Sequence, residues 1–570
     1  MKKRSALPVL TILCLALAVL TAIGLGACGK DEPTNAGPFT ESVSSAADME
    51  KLRSHLGAYY DQGVFELTND IFIDGDWAPI GTSVTESFRG TLDGKGHTVT
   101  YTIDLETPDK TDTSALATSS SYGLFGYLAG ATVKNLNLVV NVKVPVEAEI
   151  LYAGGLAGFI YGDAFIENVN VSGSVTVSVS NILNESIADI YASEMNASIG
   201  GVFGYAIGDV TLKNVSSSAD VTAAAYRLLG TATLDTVQIG GVGGTLRTED
   251  ISTISAAGQK LENVSHVSVN NVSSSGRVEA WGASVNAGGI FGLTHRTLAE
   301  KVYFTGTISA YFVSRINAGG IVGTEDMGDF SKIISGTATE AFSVTVGKAY
   351  NAGIPATAGV GGIAGYVSNG SVLGYAVAYS DITLDISSPT QIRHYLGGIA
   401  GQVYFSKLNA VASSGTYVNN SFGEFTHSAA GGYVVDYYGY TGGIAGRLYG
   451  ASSLSDAVSL IDGVYQPIAG EALGGYEVVS PDDGQSIAAW LQANGYPADT
   501  VYEEISGDDD DELTYLVSHR FTVSDANYLV AAVDSRTDSD LTAVSNGIGT
   551  LSDEATLLSA LNEIAAAAQA

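Results

Sequence analysis

One short phrase, glycine-glycine-aliphatic-x-glycine, constrains the fold of this chain more than any other feature. It recurs nine times, clearly at residues 200–204 (Gly-Gly-Val-Phe-Gly) and 319–323 (Gly-Gly-Ile-Val-Gly), and once in the shorter form Gly-Leu-Phe-Gly. The copies begin at residues 123, 154, 200, 240, 288, 319, 361, 397 and 442. Spacings of roughly 30 to 50 residues are typical of solenoids and propellers.

A second phrase follows several copies and alternates apolar with polar residues, as at 132–138, 165–171 and 211–215. Period-2 patterning predicts a strand with one buried face. Lacking a Cβ, the glycine pair permits positive φ or close backbone approach at a corner between stacked strands. The aliphatic residue after the pair is therefore predicted to point inward and to stack on its equivalents in neighbouring coils.

Asparagines recur at one place in this second phrase. Because asparagine tolerates the left-handed conformation and hydrogen-bonds locally, we predict that they form a ladder along one corner. Unrelated turn residues are the alternative. The four are Asn135, Asn168, Asn214 and Asn263.

Together the phrases resemble the GLUG motif, a Gly-Gly-aliphatic-x-Gly repeat of bacterial surface proteins that also occurs beside the catalytic domain of immunoglobulin-A-cleaving metallopeptidases. The segments at 65–71, 77–81 and 88–97 resemble the usual lead-in, so the likeness spans roughly residues 60 to 450. The family's second phrase often carries Asn-Cys-Tyr, whereas this chain has Asn-Val-Ser at 271–273. The resemblance implies a right-handed parallel β-helix displayed outside the cell.

We therefore expect an all-β fold: a right-handed parallel β-helix solenoid with short helical caps and a small C-terminal α/β segment. The predicted divisions are a signal peptide at 1–27, a polar tether at 28–44, an N-terminal capping helix at 45–60, the repeat β-helix at 61–470, and a C-terminal cap or small α/β module at 471–570. Coils of ~20 to 25 residues stacked at ~4.8 Å would give ~16 to 20 coils and a rod of ~75 to 95 Å. One coil per phrase would halve that length.

The first 27 residues have the form of a lipoprotein signal peptide. Three basic residues at positions 2–4 precede an apolar run at 6–24, and the segment ends in Leu-Gly-Ala-Cys at 25–28. This ending resembles the bacterial lipobox, in which the cysteine receives lipid. We predict cleavage before Cys28, lipidation of Cys28, and an extracytoplasmic chain anchored by that lipid to the membrane at the cell surface. A simple secretory signal or a single-span anchor is the alternative.

The net charge of the chain excludes anionic partners that are bound through general electrostatics. The formal net charge of −34 becomes −37 when the three basic residues of the signal are removed. Such a chain does not bind nucleic acid or anionic lipid through general electrostatics.

The 69 glycines and 45% hydrophobic residues indicate many strands joined by tight turns. Cys14 lies in the signal, so the mature fold depends on packing without disulfides.

Few residues indicate catalysis. None of the seven histidines begins a His-Glu-x-x-His zinc motif, and the sequence contains no Walker loop or Gly-x-Ser-x-Gly elbow. His97 follows a glycine-rich corner and is predicted to be structural. Asp74 and Asp76 are candidates for glycoside cleavage, which needs two carboxylates ~5 to 10 Å apart; turn residues are the alternative.

Two other segments are candidate sites. Tyrosines crowd one segment, and exposed tyrosines stack on sugar rings or bury at protein contacts; stacked structural rungs are the alternative. An acidic run offers hard oxygen ligands for calcium but lacks the spaced Asp-x-Asp-x-Asp-Gly loop, so a solvated turn is the alternative. Apart from this calcium we predict no cofactor. The residues are Tyr433, Tyr437, Tyr438 and Tyr440, and Asp508, Asp509, Asp510 and Asp511.

Two functional hypotheses follow. The first is a non-catalytic surface protein whose solenoid face binds a host, matrix or cell-wall glycan or protein. The second is a carbohydrate-active β-helix enzyme, a lyase or glycoside hydrolase, because the fold itself does not choose between binding and catalysis. The lack of a recognisable catalytic set favours binding.

Overall fold

A computed structural model describes residues 37–105, 117–145, 148–178, 196–224, 236–249, 265–348, 356–385, 392–419, 439–449, 452–461, 469–479, 486–493, 501–505, 514–520, 528–529, 533–534, 548–549 and 554–570. The predicted signal, Cys28 and Asn263 lie outside this described part. So do Tyr433, Tyr437, Tyr438 and the acidic run at 508–511.

The described chain is mostly strand. In chain order the strands are β1 Phe39–Val43, β2 Gly63–Leu67, β3 Ile71–Asp76, β4 Thr91–Asp93, β5 Thr98–Asp104, β6 Ala117–Tyr122, β7 Phe125–Ala129, β8 Thr132–Pro145, β9 Ala148–Ala153, β10 Ala157–Tyr161, β11 Phe165–Ser178, β12 Asn196–Gly200, β13 Phe203–Ile207, β14 Thr211–Ser217, β15 Asp220–Ala224, β16 Thr236–Gly240, β17 Gly243–Arg247, β18 Val267–Ser274, β19 Arg277–Gly288 and β20 Phe291–His295. They continue as β21 Thr297–Phe304, β22 Thr307–Gly319, β23 Val322–Asp326, β24 Asp329–Ser335, β25 Phe342–Lys348, β26 Ala356–Gly361, β27 Ala364–Ser368, β28 Val372–Asp385, β29 Ile392–Gly397, β30 Ala400–Tyr404, β31 Lys407–Asn419, β32 Gly439–Gly442, β33 Ala445–Tyr449, β34 Ser453–Ile461, β35 Ala469–Val479, β36 Val501–Ile505, β37 Thr514–Arg520, β38 Tyr528–Leu529, β39 Val533–Asp534 and β40 Ile548–Gly549. The helices are α1 Ala46–Lys51, α2 Ile487–Ala493 and α3 Glu554–Gln569, with 3-10 turns at Leu52–Ser54 and Ala58–Tyr60.

The strands stack in parallel as a solenoid, which confirms the all-β expectation. One sheet contains the nine short strands that follow the phrases, in the order β7, β10, β13, β17, β20, β23, β27, β30 and β33, and it continues into β35, β37 and β36. We call it the short-strand sheet. A second, larger sheet forms the rest of each coil. None of the described helices has both the length and the apolar character needed to cross a membrane.

Each of the nine phrases precedes one strand of the short-strand sheet, so each phrase opens one coil. The prediction of 20- to 25-residue coils was therefore wrong, and the nine coils that begin with a phrase extend only ~40 Å at ~4.8 Å per coil. Coil length varies mainly at one corner of the larger sheet. In sequence, residues 179–195 separate β11 from β12 at this corner, whereas only two residues separate β8 from β9. In a later coil the single strand β19 is continuous through the corner.

Close backbone approach, rather than positive φ, explains the glycine pair. Neither Gly200 nor Gly201 has positive φ. A Cβ on Gly200 would lie 2.3 Å from the carbonyl oxygen of Phe203 and 2.5 Å from that of Val242 in the next coil. Only glycine fits a corner this tight.

The aliphatic residue after the pair points inward, as predicted, and is fully buried in all nine copies. Its backbone joins the coils: the Ile321 N–H donates to Ile363 O at 2.9 Å, and the Ile363 N–H donates to Ile399 O at 2.9 Å. A continuous apolar column thus runs through the solenoid. Its members are Leu124, Leu156, Val202, Val242, Ile290, Ile321, Ile363, Ile399 and Ile444.

The predicted asparagine ladder exists with one change of member. Asn135, Asn168 and Asn214 have φ of 52°, 54° and 53°, and the fourth rung is Asn271, with φ 54°, instead of Asn263. From the second rung onward, the amide Nδ2 of each asparagine donates to Oδ1 of the previous one at 2.8 to 2.9 Å. The same left-handed corner continues at Lys301, Lys332, Tyr375 and Ala410.

The N-terminal end differs from its prediction. The predicted helix over 45–60 is only α1, whose N-cap Ser45 accepts the Asp48 N–H, and the two 3-10 turns follow it. Strand β1 lies inside the segment predicted as a tether and pairs with β2 from Phe39↔Gly63 to Val43↔Leu67. The parallel stack of strands therefore begins N-terminal to the first Gly-Gly phrase.

The C-terminal segment adds to both sheets. Strand β35 pairs in parallel with β33, and β36 and β37 continue that edge in antiparallel fashion. Strands β38 and β39 pair antiparallel with β34. The segment also contains the helices α2 and α3, in agreement with the predicted presence of helix there.

Candidate binding surfaces

A polar groove runs across the larger sheet, beside the left-handed corner. It encloses about 340 Å³ and crosses strands β5, β8, β11, β14, β18 and β21. None of its lining residues carries a charge, although the chain carries 60 acidic residues. The lining consists of Thr98, Asn137, Leu138, Val139, Asn170, Val171, Ser172, Ser216, Ser217, Ser218, Ser273, Ser274, Ser275, Tyr303 and Thr305.

The floor of the groove is a ladder of side chains two residues beyond the corner. Asn137, Asn170, Ser216, Ser273 and Tyr303 occupy matching register positions on successive strands. Asn170 Nδ2 donates to Asn137 Oδ1 at 2.9 Å, and Ser216 Oγ donates to Asn170 Oδ1 at 2.6 Å. Because each amide NH2 has two N–H donors, hydrogen-bonding capacity remains for a ligand along the ladder.

In the C-terminal half of the solenoid, apolar residues occupy the register position of this ladder. After Tyr303 the position is taken by Ile334, Val377, Ala412 and Val458, all of which are buried. Helix α3 covers these four residues with the face that carries Leu561, Ala565 and Ala568. At ~1.5 Å per residue its 16 residues span ~24 Å, enough to cross five strands at ~4.8 Å.

Helix α3 therefore lies along the side of the solenoid instead of closing its end. Lys301 Nζ donates to Ala570 O at 3.2 Å, next to the rung of Tyr303. The open polar groove begins at this rung. Within the helix, Leu561 is buried, whereas Leu558 is 49% exposed.

Among the four predicted tyrosines, only Tyr440 belongs to the described residues. It pairs with Tyr395 on the strand that precedes the phrase. Tyr395 in turn belongs to a group that we call the Tyr–Arg cluster, because two arginines approach tyrosine rings there. The cluster consists of Arg315, Tyr366, Tyr395, Tyr404, Arg447 and Tyr449.

Of the predicted acidic residues, only Asp74 and Asp76 belong to the described part of the chain. Within the described ranges no group of three or more His, Cys, Asp or Glu residues is placed to hold a metal ion. Asp74 and Asp76 line an open depression at the end of β3. Asp76 Oδ1 accepts the backbone N–H of Asp104 at 3.1 Å, which is a structural contact.

Two histidines contact aspartates. His97 Nδ1 lies 3.3 Å from Asp70 Oδ1, which also accepts the Thr98 N–H, in agreement with a structural role. His295 Nδ1 lies 2.8 Å from Asp326 Oδ2. Burial acts to raise the pKa of Asp326, but hydrogen bonds from His295 and Asn369 outweigh it and hold that pKa below its ordinary value.

The His295–Asp326 pair resembles the base and orienting acid of a hydrolase, but its geometry supplies no nucleophile. Nε2 of His295 is buried and has no hydrogen-bond partner among the described residues. A triad needs a hydroxyl or thiol at that nitrogen. The pair therefore ties β20 to β23.

Sequence reasoning missed both the groove and the Tyr–Arg cluster. The groove could have been located from the sequence. Each residue of its floor lies two positions after a left-handed corner residue, as Asn170 follows Asn168. The cluster joins residues more than 50 positions apart, such as Tyr395 and Arg447. Only strand register brings these together.

Comparisons with known proteins do not assign the chain to a family. No protein-family model matches the chain, and no curated protein matches it. One solved structure, of a Bacteroides ovatus protein described as a "putative immunoglobulin A1 protease", covers 72% of this chain and 85% of that chain at 15% identity, with a TM-score of 0.29. At this TM-score the likeness carries no functional information.

Proposed function

We propose that this chain is a lipid-anchored surface protein of the GLUG-repeat type, and that it binds a neutral, polyhydroxylated polymer, such as a cell-wall or matrix glycan, along the polar groove without chemical change. The observation that supports this most is the uncharged lining of the groove in a chain with a net charge of −34. Asparagine, serine and threonine both donate and accept hydrogen bonds, as sugar hydroxyls do.

Groove length favours an extended ligand over a small molecule. Five steps of ~4.8 Å between six strands give ~24 Å. The repeated ladder presents the same hydrogen-bonding groups at each step, so a polymer with a repeating unit can satisfy several rungs at once. Helix α3 fills the continuation of the groove, which limits the ligand to the N-terminal half.

Groove variants test this proposal. Asn170→Leu with Ser216→Val removes two rungs, and at ~1 kcal/mol for each lost hydrogen bond the affinity for a bound glycan should fall at least ~10-fold. The measurement is calorimetry on the full mature chain with neutral oligosaccharides found by a glycan array. The matched control, Asn270→Leu with Ser268→Val, makes the same changes on β18 outside the groove.

Equal weakening in the control pair would contradict the groove, and so would unchanged affinity in the groove pair. Product analysis on every glycan hit covers the enzymatic alternative. If the protein depolymerises a glycan and Asp74→Asn abolishes that activity, the carbohydrate-active enzyme replaces the binding protein.

The lipid anchor is a separate part of the proposal and rests on the lipobox at residues 25–28. Cys28→Ala should abolish acylation and move the protein from the detergent phase to the aqueous phase, because this sulfur is the attachment point. Detergent-phase partitioning of the protein from membrane and medium fractions measures this change. Partitioning that does not change with the substitution would show that another feature holds the protein at the membrane.

A further inference from the structure

Two columns of side chains line the polar groove, the ladder of its floor and a second column two residues further along each strand. The floor ladder is polar as far as Tyr303 and apolar from Ile334 onward. In the later coils the second column contains Tyr379 and Leu460, which pack against the buried cluster under helix α3. The groove and the docking site of α3 are therefore successive parts of one surface. The polar members of the second column are Ser172, Ser218, Ser275 and Thr305.

Helix α3 lies directly beyond the C-terminal end of the groove. With its side chains a helix is ~10 to 12 Å across, so it rises above a single glycan chain that lies on the sheet. Lys301 Nζ donates to Ala570 O at 3.2 Å, which holds the end of the helix at the coil of Tyr303. An extended chain that follows the floor of the groove therefore meets the helix there.

The opposite end of the groove is open. Asp70 precedes Thr98 in the register of the floor, since Ile71 pairs with Val99. The side chain of Asp70 is 74% exposed, and its Oδ1 accepts the Thr98 N–H at 2.9 Å. A chain that lies in the groove can therefore continue past β3 into solvent at this end, but it cannot continue along the sheet past α3.

Tyr303 lies where the groove meets the helix. Among the described residues that line the groove it alone is aromatic, and its half-buried ring also packs against the cluster under α3. Burial raises the pKa of Tyr303 above the ordinary tyrosine value, so its hydroxyl stays protonated at physiological pH and can both donate and accept a hydrogen bond. The ring offers an apolar surface and the hydroxyl a polar one, as a sugar residue requires.

We infer that the groove binds the end of a neutral glycan, with the terminal sugar against Tyr303 and the rest of the chain leaving past Asp70. This inference rests on the proposed glycan-binding function and adds to it the part of the polymer that is recognised. A groove open at both ends would accept the interior of a polymer, so several copies of the protein could share one long chain. A groove blocked at one end accepts only a chain end.

The test counts copies of the protein on each glycan chain. Calorimetry on the full mature chain uses linear α-1,4-glucan, β-1,3-glucan and β-1,4-mannan, each as a short oligosaccharide and as a chain several times longer than the ~24 Å groove. We expect one copy per chain at both lengths. Tyr303→Ala should weaken binding at least ~10-fold. The control Tyr59→Ala, at a partly exposed tyrosine of the N-terminal 3-10 turn, should leave it unchanged.

Helix variants then test whether α3 is the block. Leu561→Asp or Ala565→Glu places a charge in the buried face of α3 and should release the helix, so that a long glycan binds more than one copy. Leu558→Asp, on the exposed side of the same helix, should keep one copy per chain. Limited proteolysis shows release of the helix, and circular dichroism shows that the solenoid remains folded.

Two results would overturn end recognition while leaving glycan binding in place. They are several copies of the natural protein on one long glycan, and a single copy per chain after α3 has been released. Full affinity in a folded Tyr303→Ala variant would remove Tyr303 from the site. Failure of all three glycans to bind would contradict the proposed function as well.

Discussion

Gly320→Ala is expected to destabilise the solenoid by about 3 kcal/mol, at the upper end of the usual cost of overpacking and the largest effect of any single methyl group that we predict. A Cβ at Gly320 would lie 2.2 Å from Gly362 O in the next coil and 2.7 Å from the ring of Phe342. Gly362 O is a backbone atom and Phe342 is fully buried, so neither neighbour can move far and overpacking is costly there. Urea unfolding followed by circular dichroism measures the loss.

The matched control is Gly374→Ala on β28. There the nearest atoms to a new Cβ are 4.0 Å away and φ is not positive, so the methyl group meets open space. Its effect should stay within ~0.5 kcal/mol. If the two variants unfold at the same urea concentration, close approach is not the reason for the glycine pair.

Glu325→Gln is expected to stabilise the protein at neutral pH and to remove part of its pH dependence. Glu325 is fully buried, and among the described residues neither of its carboxylate oxygens meets a hydrogen-bond partner. Burial, followed by the negative charges of Asp329 and Asp326, raises the pKa of Glu325 well above its ordinary value. Glutamine keeps the shape and carries no proton to lose.

The sign follows from proton linkage. Because the folded-state pKa is raised, the stability linked to the Glu325 proton is fully present below the unfolded-state pKa, near 4.5, and is lost as the pH rises through the folded-state pKa. Because Glu325→Gln has no proton to lose, its advantage should grow with pH up to the folded-state pKa of Glu325, by at most ~1.4 kcal/mol per pH unit.

Urea unfolding of both proteins at pH 5 and pH 8 measures this effect. The advantage of the variant should be larger at pH 8. The control is Glu300→Gln, which removes a surface ion pair of 2.7 Å with Lys332 and should cost at most ~1 kcal/mol. An advantage of Glu325→Gln that does not change with pH would mean that Glu325 is ionised in the folded protein.

Local pattern predicted the parts of this fold that depend on local chemistry. Period-2 alternation located strands such as β8, β11 and β14, because alternate side chains of a strand face opposite sides. The inward aliphatic residue and the first three asparagine corners were also predicted correctly. Each follows from steric limits on a few adjacent residues.

Register decided what local pattern could not. Asn263 and Asn271 both precede Val-Ser, and only the pairing of β14 with β18 selects Asn271 as the next rung. Coil length likewise depends on which strands stack. Strands β11 and β12 belong to one coil although they are far apart in sequence, so counting residues overestimated the number of coils.

The sequence by itself determined that the chain forms stacked strands with glycine corners, because the absence of a Cβ and the alternation of side chains act within a few residues. Only the tertiary structure decided that α3 lies over Ile334, Val377, Ala412 and Val458, and that a polar groove remains beyond it. It also brought Arg447 next to Tyr395. These surfaces join residues from different coils, whose proximity is set by strand register and helix docking instead of by any local rule.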